Sequence, residues 1–430
     1  QLRAALDDTC RRAAELLARA DVLLLMTGAG FSADSGLAVY ADVACVDAYK
    51  ERGLTYMDVC NPEWLQAEKA LFWGFWGQCF NDYRRTAPHD GYRILEHWVE
   101  ARFRRSEAAE SVRTRLESLR APAVSTTGSA YEVSDSAGAF FAFTSNVDAH
   151  HYDWFRPHEV YECHGNTETY QCSGSDCMDV FRAPREFAFK VDTATMLAPE
   201  GEAATAEEVE VLRKTEAAPG GEKPVVGRVG GGGRPHRLRH FPLPSEEDEA
   251  ATSKAFAGNH PVCPACGKDA RPAILMFGDV KYIWDEAAEQ RFCRWKEAVL
   301  AEAQKRPHPE PLKVVILEIG AGKNVPTVRY SSEGFLDSLL AKGADAHLVR
   351  MNRDQPLADR FVSEDGSERV LSVMERGLAA LRRIDAHMPE EMRSAELTVA
   401  PETPSRDEMP AAELTVASER TPQELHGAEE

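Results

Sequence analysis

Asp21-Val22-Leu23-Leu24-Leu25-Met26-Thr27-Gly28-Ala29-Gly30-Phe31-Ser32 is the stretch whose reading decides the fold. Residues 21–27 are short, apolar and followed by glycine, as a central strand of a parallel sheet should be. The glycines let the next backbone segment approach a pyrophosphate, and amides at a helix N-terminus favour its negative charge. Many strand-to-helix turns carry glycine for packing alone, so the loop is informative only because a strand precedes it. The acidic residue that a dehydrogenase fingerprint places ~20 positions on is not clear; Asp42 and Asp47 have no convincing strand before them.

Working outward, residues 139–143, 273–277, 313–317 and 346–349 are further strand candidates with helical sequence between most of them. That alternation predicts an α/β fold, a doubly wound parallel sheet with ligands at the strand C-termini. Residues 2–20 have Ala, Leu and Arg at helical spacing, and 89–105 resemble a second helix. Asn61-Pro62-Glu63 reads as a helix start with Asn61 as N-cap. The aromatic run from Leu71 to Trp76, continuing to Phe80 and Tyr83, reads as a helix packed on the core rather than an aromatic ligand cage. Residues 193–249, acidic, then glycine-rich, then basic, read as a mostly flexible insertion. Beyond His387 the tail is polar and repeats Ala-Glu-Leu-Thr-Val-Ala at 395–400 and 412–417, as a disordered or docking segment would.

The bulk numbers set limits. The 430 residues can bury one large domain and a smaller one, while a 43% hydrophobic share leaves room for disordered polar sequence. With 50 Lys+Arg against 70 Asp+Glu, the net charge of −20 argues against direct binding of nucleic acid. An acidic surface would instead attract a basic protein segment. No apolar run approaches the ~20 residues of a membrane span. A soluble, reducing compartment, cytoplasmic or nuclear, is the expectation; the chain starts at Gln1, which leaves organelle targeting open.

Two cysteine pairs, Cys172/Cys177 and Cys263/Cys266, form a four-thiolate set. Thiolates suit zinc, and four protein ligands leave no open position, so such a site is structural. Cys163 reads as a packed thiol. Asn146 and Asp148 follow a strand and can hydrogen-bond an amide and a ribose at the sheet's C-terminal edge, although alone they would be a capping turn. His164, just downstream, is a candidate general base with an ordinary pKa of ~6.5. His150 and His151 read as packing or supporting residues.

In this order the motifs resemble the sirtuins, NAD-dependent protein deacylases. That family has Gly-Ala-Gly-x-Ser, Ser-Gly-Ile-Pro-x-Phe-Arg, Thr-Gln-Asn-x-Asp, His-Gly, two cysteine pairs, Phe-Gly-Glu, Gly-Thr-Ser and Asn-x-Glu. Here stand Gly28-Ala29-Gly30-Phe31-Ser32, Ser35-Gly36-Leu37, Thr144-Ser145-Asn146-Val147-Asp148 and His164-Gly165. After the four cysteines come Phe277-Gly278-Asp279, Gly320-Ala321-Gly322 and Asn352-Arg353-Asp354. The likeness runs from about residue 2 to 381.

The resemblance implies a Rossmann-like NAD-binding domain in two parts, 1–162 and 271–386, around a small zinc-binding domain, 163–270, with a disordered tail, 387–430. It implies that Gly28, Ala29, Gly30 and Ser32 cradle the phosphates. Ser145, Asn146 and Asp148 would hold the nicotinamide ribose and carboxamide, and Gly320, Gly322 and Asn352 the adenosine side. Phe277 and Gly278 would pair with an extended acyl-lysine substrate. His164 and Asn146 would be catalytic: the acyl oxygen attacks the ribose carbon as nicotinamide leaves, and His164 then deprotonates a ribose hydroxyl. Zinc would hold the small domain in shape.

Three departures stand out. Tyr40-Ala41 replaces Phe-Arg, Ser145 replaces the glutamine of Thr-Gln-Asn, and Gly320-Ala321-Gly322 lacks two hydroxyls. Ala41, Ser145 and Ala321 also motivate a mono-ADP-ribosyltransferase or NAD hydrolase on the same fold. The insertion and tail motivate a non-catalytic NAD-binding scaffold. Arg84 would be solvated or, alternatively, meet an acidic acyl group.

Overall fold

Burial of all six residues of β1 (Val22–Thr27) organises the molecule, because a strand covered on both faces needs helices on both sides of its sheet. The computed structural model describes residues 2–39, 46–118, 136–205, 207–208, 240, 246–306, 309–360 and 369–394. All of these lie in one compact unit. Tyr40, Ala41, Asp42, the repeated tail segments and much of the insertion lie outside the described residues.

The main sheet adds β2 (Phe140–Thr144), β3 (Val160–Glu162), β7 (Lys313–Ile319), β8 (Asp345–Met351) and β9 (Val370–Val373) to β1. All five pairings are parallel, in the order β3-β2-β1-β7-β8-β9. Counted along the chain within this sheet, that is the 3-2-1-4-5-6 order of a Rossmann fold, and the order reverses between β1 and β7. Ligand sites of such sheets lie at that reversal, beyond the strand C-termini.

Between β3 and β7 the chain builds a second, antiparallel sheet from β4 (Gly165–Cys172), β5 (Val180–Arg182) and β6 (Ala270–Ile274), in the order β5-β4-β6. The strand expected at 273–277 is therefore displaced. It ends at Ile274 and pairs with β4, not with the large sheet. A short apolar run reports burial but not the identity of its partner.

Helix Leu6–Arg19 occupies the place expected for the first helix, and Asp90–Trp98, capped by His89, that of the second. Asn61 accepts the Glu63 amide at 2.9 Å, but the helix behind it, Trp64–Ala67, lasts one turn. Helix Lys69–Arg85 buries Leu71, Phe72, Trp73, Phe75, Trp76 and Phe80. Trp73 stacks on Phe189 at 5.2 Å and Tyr170 at 6.2 Å, so this aromatic core belongs to the small sheet. Residues 193–198 are not loose: Ala198 is fully buried and its amide donates to Ala70 O at 2.8 Å. A Cβ on Gly74 would lie 2.0 Å from Met196 O. The insertion leaves the packed structure later than the composition change at residue 193.

Candidate functional site

His164 sits where the main chain passes from β3 in the large sheet to β4 in the small one. Its carbonyl accepts the Leu275 amide at 3.0 Å, extending the β4–β6 pairing by one residue. Gly165 follows at φ +73°, and a Cβ there would meet Ala273 O at 1.8 Å. The His-Gly pair is thus a backbone requirement as well as a chemical one.

The His164 imidazole hydrogen-bonds the Ser145 backbone, and its Nε2 lies 3.5 Å from Thr327 Oγ1. Burial lowers its pKa from the ordinary histidine value, only partly offset by the Ser145 contact. The ring is therefore neutral, and a proton acceptor, at pH 7. Thr327, at the start of helix Thr327–Ala341, was not singled out from sequence. The preceding proline at 326 marks a helix start, but nothing local places it beside His164.

A cavity of about 280 Å³ opens beside His164. Ala29, Ser32, Ser145, Asn146, Asp148 and Phe277 all border it. Across its polar end, Asn146 Nδ2 donates to Ser32 Oγ at 2.9 Å, and Ser32 Oγ donates to Asp148 Oδ2. The His150 amide donates to Asp148 Oδ1 at 2.9 Å. Burial pushes the Asp148 pKa up, but nearby His150, the Ser32 hydroxyl and the His150 amide outweigh it and hold it below the usual range. The loops after β1 and β2 are thereby tied into one surface. Asn146 Oδ1, fully buried, has no partner among the described residues.

The glycines divide differently. Gly28 N donates to Ile319 O and Gly30 N to Gly320 O, both at 3.0 Å. A Cβ on Gly28 would lie 2.8 Å from Ala321 Cα, and one on Gly30 2.8 Å from Gly320 Cα. Their shown role is close packing of the β1 loop against the β7 loop. Asn352 Nδ2 donates to Ala321 O at 2.9 Å, while its Oδ1 accepts the amides of Asp354 and Gln355. Gly28, Gly30, Gly278, Gly320, Gly322 and Asn352 are not among the residues bordering the cavity. The Phe277 amide is donated to Cys60 O at 3.1 Å, and Asp279 is held by buried Arg271 at 2.6 and 2.9 Å.

The apolar end of the cavity is formed partly by Phe75, Trp76, Cys79 and Tyr83 of helix Lys69–Arg85. That helix is apolar around most of its circumference, so periodicity could not separate its cavity face from its core face. Arg84 is neither solvated nor directed at a ligand: it forms a two-pronged pair with buried Glu168, at 3.0 and 2.6 Å, and stacks on Phe80. His150 and His151 are fully buried, and Cys163 is buried with its thiol pKa pushed up by burial.

Cys172, Cys177, Cys263 and Cys266 converge, with all four sulfurs within 4.8 Å of one another. Cys172 Sγ lies 3.5 Å from Cys266 Sγ, and Cys177 Sγ 3.8 Å from Cys263 Sγ. A tetrahedral zinc with Zn–S of about 2.3 Å has S···S edges of about 3.8 Å, so the set fits that ion. Four protein ligands leave no position for substrate.

No protein-family model and no curated protein matches this chain. Among solved structures, the chain is similar to a Sir2 homologue in complex with NAD, at 12% identity and a TM-score of 0.43, with 87% of this chain and 93% of that one covered. It is also similar to Sir2 with a deacetylated p53 peptide and 3'-O-acetyl-ADP-ribose, at 13% identity and a TM-score of 0.42. That pairing covers 87% of this chain and 97% of the other. Sir2Tm bound to a propionylated peptide is similar at 15% identity, with the same coverages and a TM-score of 0.42. The ligands are those of the other proteins; the chemistry of this chain is read from its own residues.

Proposed function

We propose that this protein is an NAD-dependent protein-lysine deacylase that transfers the acyl group to ADP-ribose and releases nicotinamide. One observation carries the reading: His164, a neutral imidazole, shares a cavity with the Asn146–Ser32–Asp148 hydrogen-bond chain and with Phe277. NAD fits these residues in one specific respect. The unpaired, buried Asn146 Oδ1 is an acceptor suited to the N–H of a carboxamide. The co-substrate would supply a ribose carbon that becomes electrophilic as nicotinamide leaves. Asn146 and Ser32 orient it, Asp148 holds their loops together, and His164 accepts a proton from a ribose hydroxyl. Ala29 and Ser145 complete the co-substrate wall. The acylated lysine of a protein enters past Phe277. Zinc on the four cysteines holds the small sheet, and takes no part in the reaction.

The test is to incubate the protein and a His164→Ala variant with NAD and an acetyl-lysine peptide and to identify products by mass spectrometry. O-acetyl-ADP-ribose is expected from the unmutated protein, with a loss of roughly 100-fold or more in the variant. ADP-ribose added to protein, or nicotinamide released without the peptide, would replace deacylation by ADP-ribosyl transfer or NAD hydrolysis. Binding of NAD with no turnover would leave a scaffold.

A further inference from the structure

We propose that the Thr327 hydroxyl relays the proton from the ribose hydroxyl to His164 Nε2; this rests on the deacylase reading above. Thr327 and His164 both border the cavity, and Thr327 Oγ1 lies 3.5 Å from Nε2. That is the long end of hydrogen-bonding range, as catalytic hydrogen bonds often are before a Michaelis complex tightens them. Among the described residues it is the one hydrogen bond of that hydroxyl. The hydroxyl is not a helix cap: the capping position belongs to Pro326, and no side chain caps the helix. A helical threonine hydroxyl can turn back to a carbonyl one turn earlier. This one meets His164 instead.

The state of the imidazole decides what the hydroxyl can do. The Ser145 backbone contact raises the His164 pKa, which is the sign of a ring N–H donated to a carbonyl. With that proton assigned to Nδ1, the single lone pair of the neutral ring lies on Nε2 and faces the Thr327 hydroxyl. A ribose hydroxyl approaching Nε2 directly would first have to displace Thr327 from that lone pair. Passing the proton through Oγ1 keeps the bond in use. In the step, the Thr327 O–H bond breaks as its proton moves to Nε2, and the ribose O–H bond breaks as its proton moves to Oγ1. Thr327 ends as it began and His164 becomes imidazolium. The electron pair stays on the ribose oxygen for attack on the acyl carbon.

The relay acts after nicotinamide has left, so two rates of the full chain separate it from other roles. One is exchange of labelled nicotinamide into NAD in the presence of an acetyl-lysine peptide; the other is formation of O-acetyl-ADP-ribose. Thr327→Val, close in shape but without the hydroxyl, is expected to slow acyl transfer at least about tenfold while exchange stays within about twofold. Thr327→Ser should recover acyl transfer to within about threefold of the unmutated protein. In a His164→Ala background, Thr327→Val should cost less than about twofold more, because the two residues act as one unit. Acyl transfer by Thr327→Val within about twofold of the unmutated rate overturns the proposal. So does an equal loss of exchange and acyl transfer, which a merely structural threonine would give. A serine variant no better than the valine one, or a full further loss in the His164→Ala background, overturns it as well. The deacylase reading would survive each of those results. An unmutated protein with neither exchange nor acyl transfer would remove that reading and the proposal together.

Discussion

Gly320 has φ +69°, and a methyl group on it would stand 2.3 Å from the amide nitrogen of Phe31. Both facts bear on one residue, a left-handed backbone and a main chain in van der Waals contact. Gly322, two positions on, has nothing within 4 Å of the same hypothetical methyl. Gly320→Ala should therefore lower unfolding free energy by about 3 kcal/mol, while Gly322→Ala changes it by less than about 0.5 kcal/mol. Urea titration of both variants measures this, and equal effects would contradict the loop-packing role. The residue scale is also where sequence reading was strongest and weakest. Gly28, Gly30, Gly320 and Gly322 all stood out, yet spacing alone could not separate glycines that pack two loops from one facing open space. His164 stood out by its neighbours in the chain. Thr327, 163 positions away, could be joined to it only by the fold.

Among the elements, the small sheet is the one whose stability depends on something other than its own length. Its strands β5 and β6 have three and five residues, and β4 lies between them and pairs with both. The four-cysteine cluster spans it: Cys172 ends β4, while Cys263 and Cys266 precede β6. Zinc binding to such a set is itself folding free energy. We expect one zinc per chain by elemental analysis, and a marked drop in melting temperature on chelation, together with faster reaction of all four thiols. A metal-free protein with an unaltered melting temperature would sink the assignment. The cysteine pairs were visible in sequence because a thiolate turn has a recognisable spacing. The strand β6 was visible as apolar sequence but assigned to the wrong sheet, and β3 and β9, of three and four residues, are too short to show a period. Helix Lys69–Arg85 was recognised as packed; its second job, walling the cavity, was hidden by apolar residues on nearly every face.

At the scale of the whole molecule, a doubly wound parallel sheet was foreseeable from alternating strands and helices, whereas the centre of the fold was not. Around Phe31 and Tyr92 lie three buried imidazoles that join elements distant in sequence. His89 accepts the Gly91 amide at Nδ1 and so donates from Nε2 to Phe31 O, tying helix Asp90–Trp98 to the β1 loop. His151 Nε2 meets Thr27 Oγ1 at 3.0 Å, tying the segment after β2 to the end of β1. Burial lowers the His89 pKa to about 3 and the His151 pKa to about 4. In the unfolded chain both return to about 6.5. The unfolded state then binds more protons than the folded one between those values, so stability rises with pH in that window and is lost as pH falls from about 6.5. Each histidine should cost about 2 kcal/mol between pH 7.5 and pH 5, about 4 kcal/mol together. Urea midpoints measured from pH 7.5 to pH 5 should fall accordingly. His89→Asn keeps a side chain able to cap the helix, and combined with His151→Gln it removes these two imidazoles and leaves His150. The double variant should be less stable at pH 7.5 and should lose less stability than the unmutated protein through the same range. A flat profile in the unmutated protein would mean that the imidazoles are reached by water and protonated within the folded state, and that the centre of the sheet is looser than its packing implies.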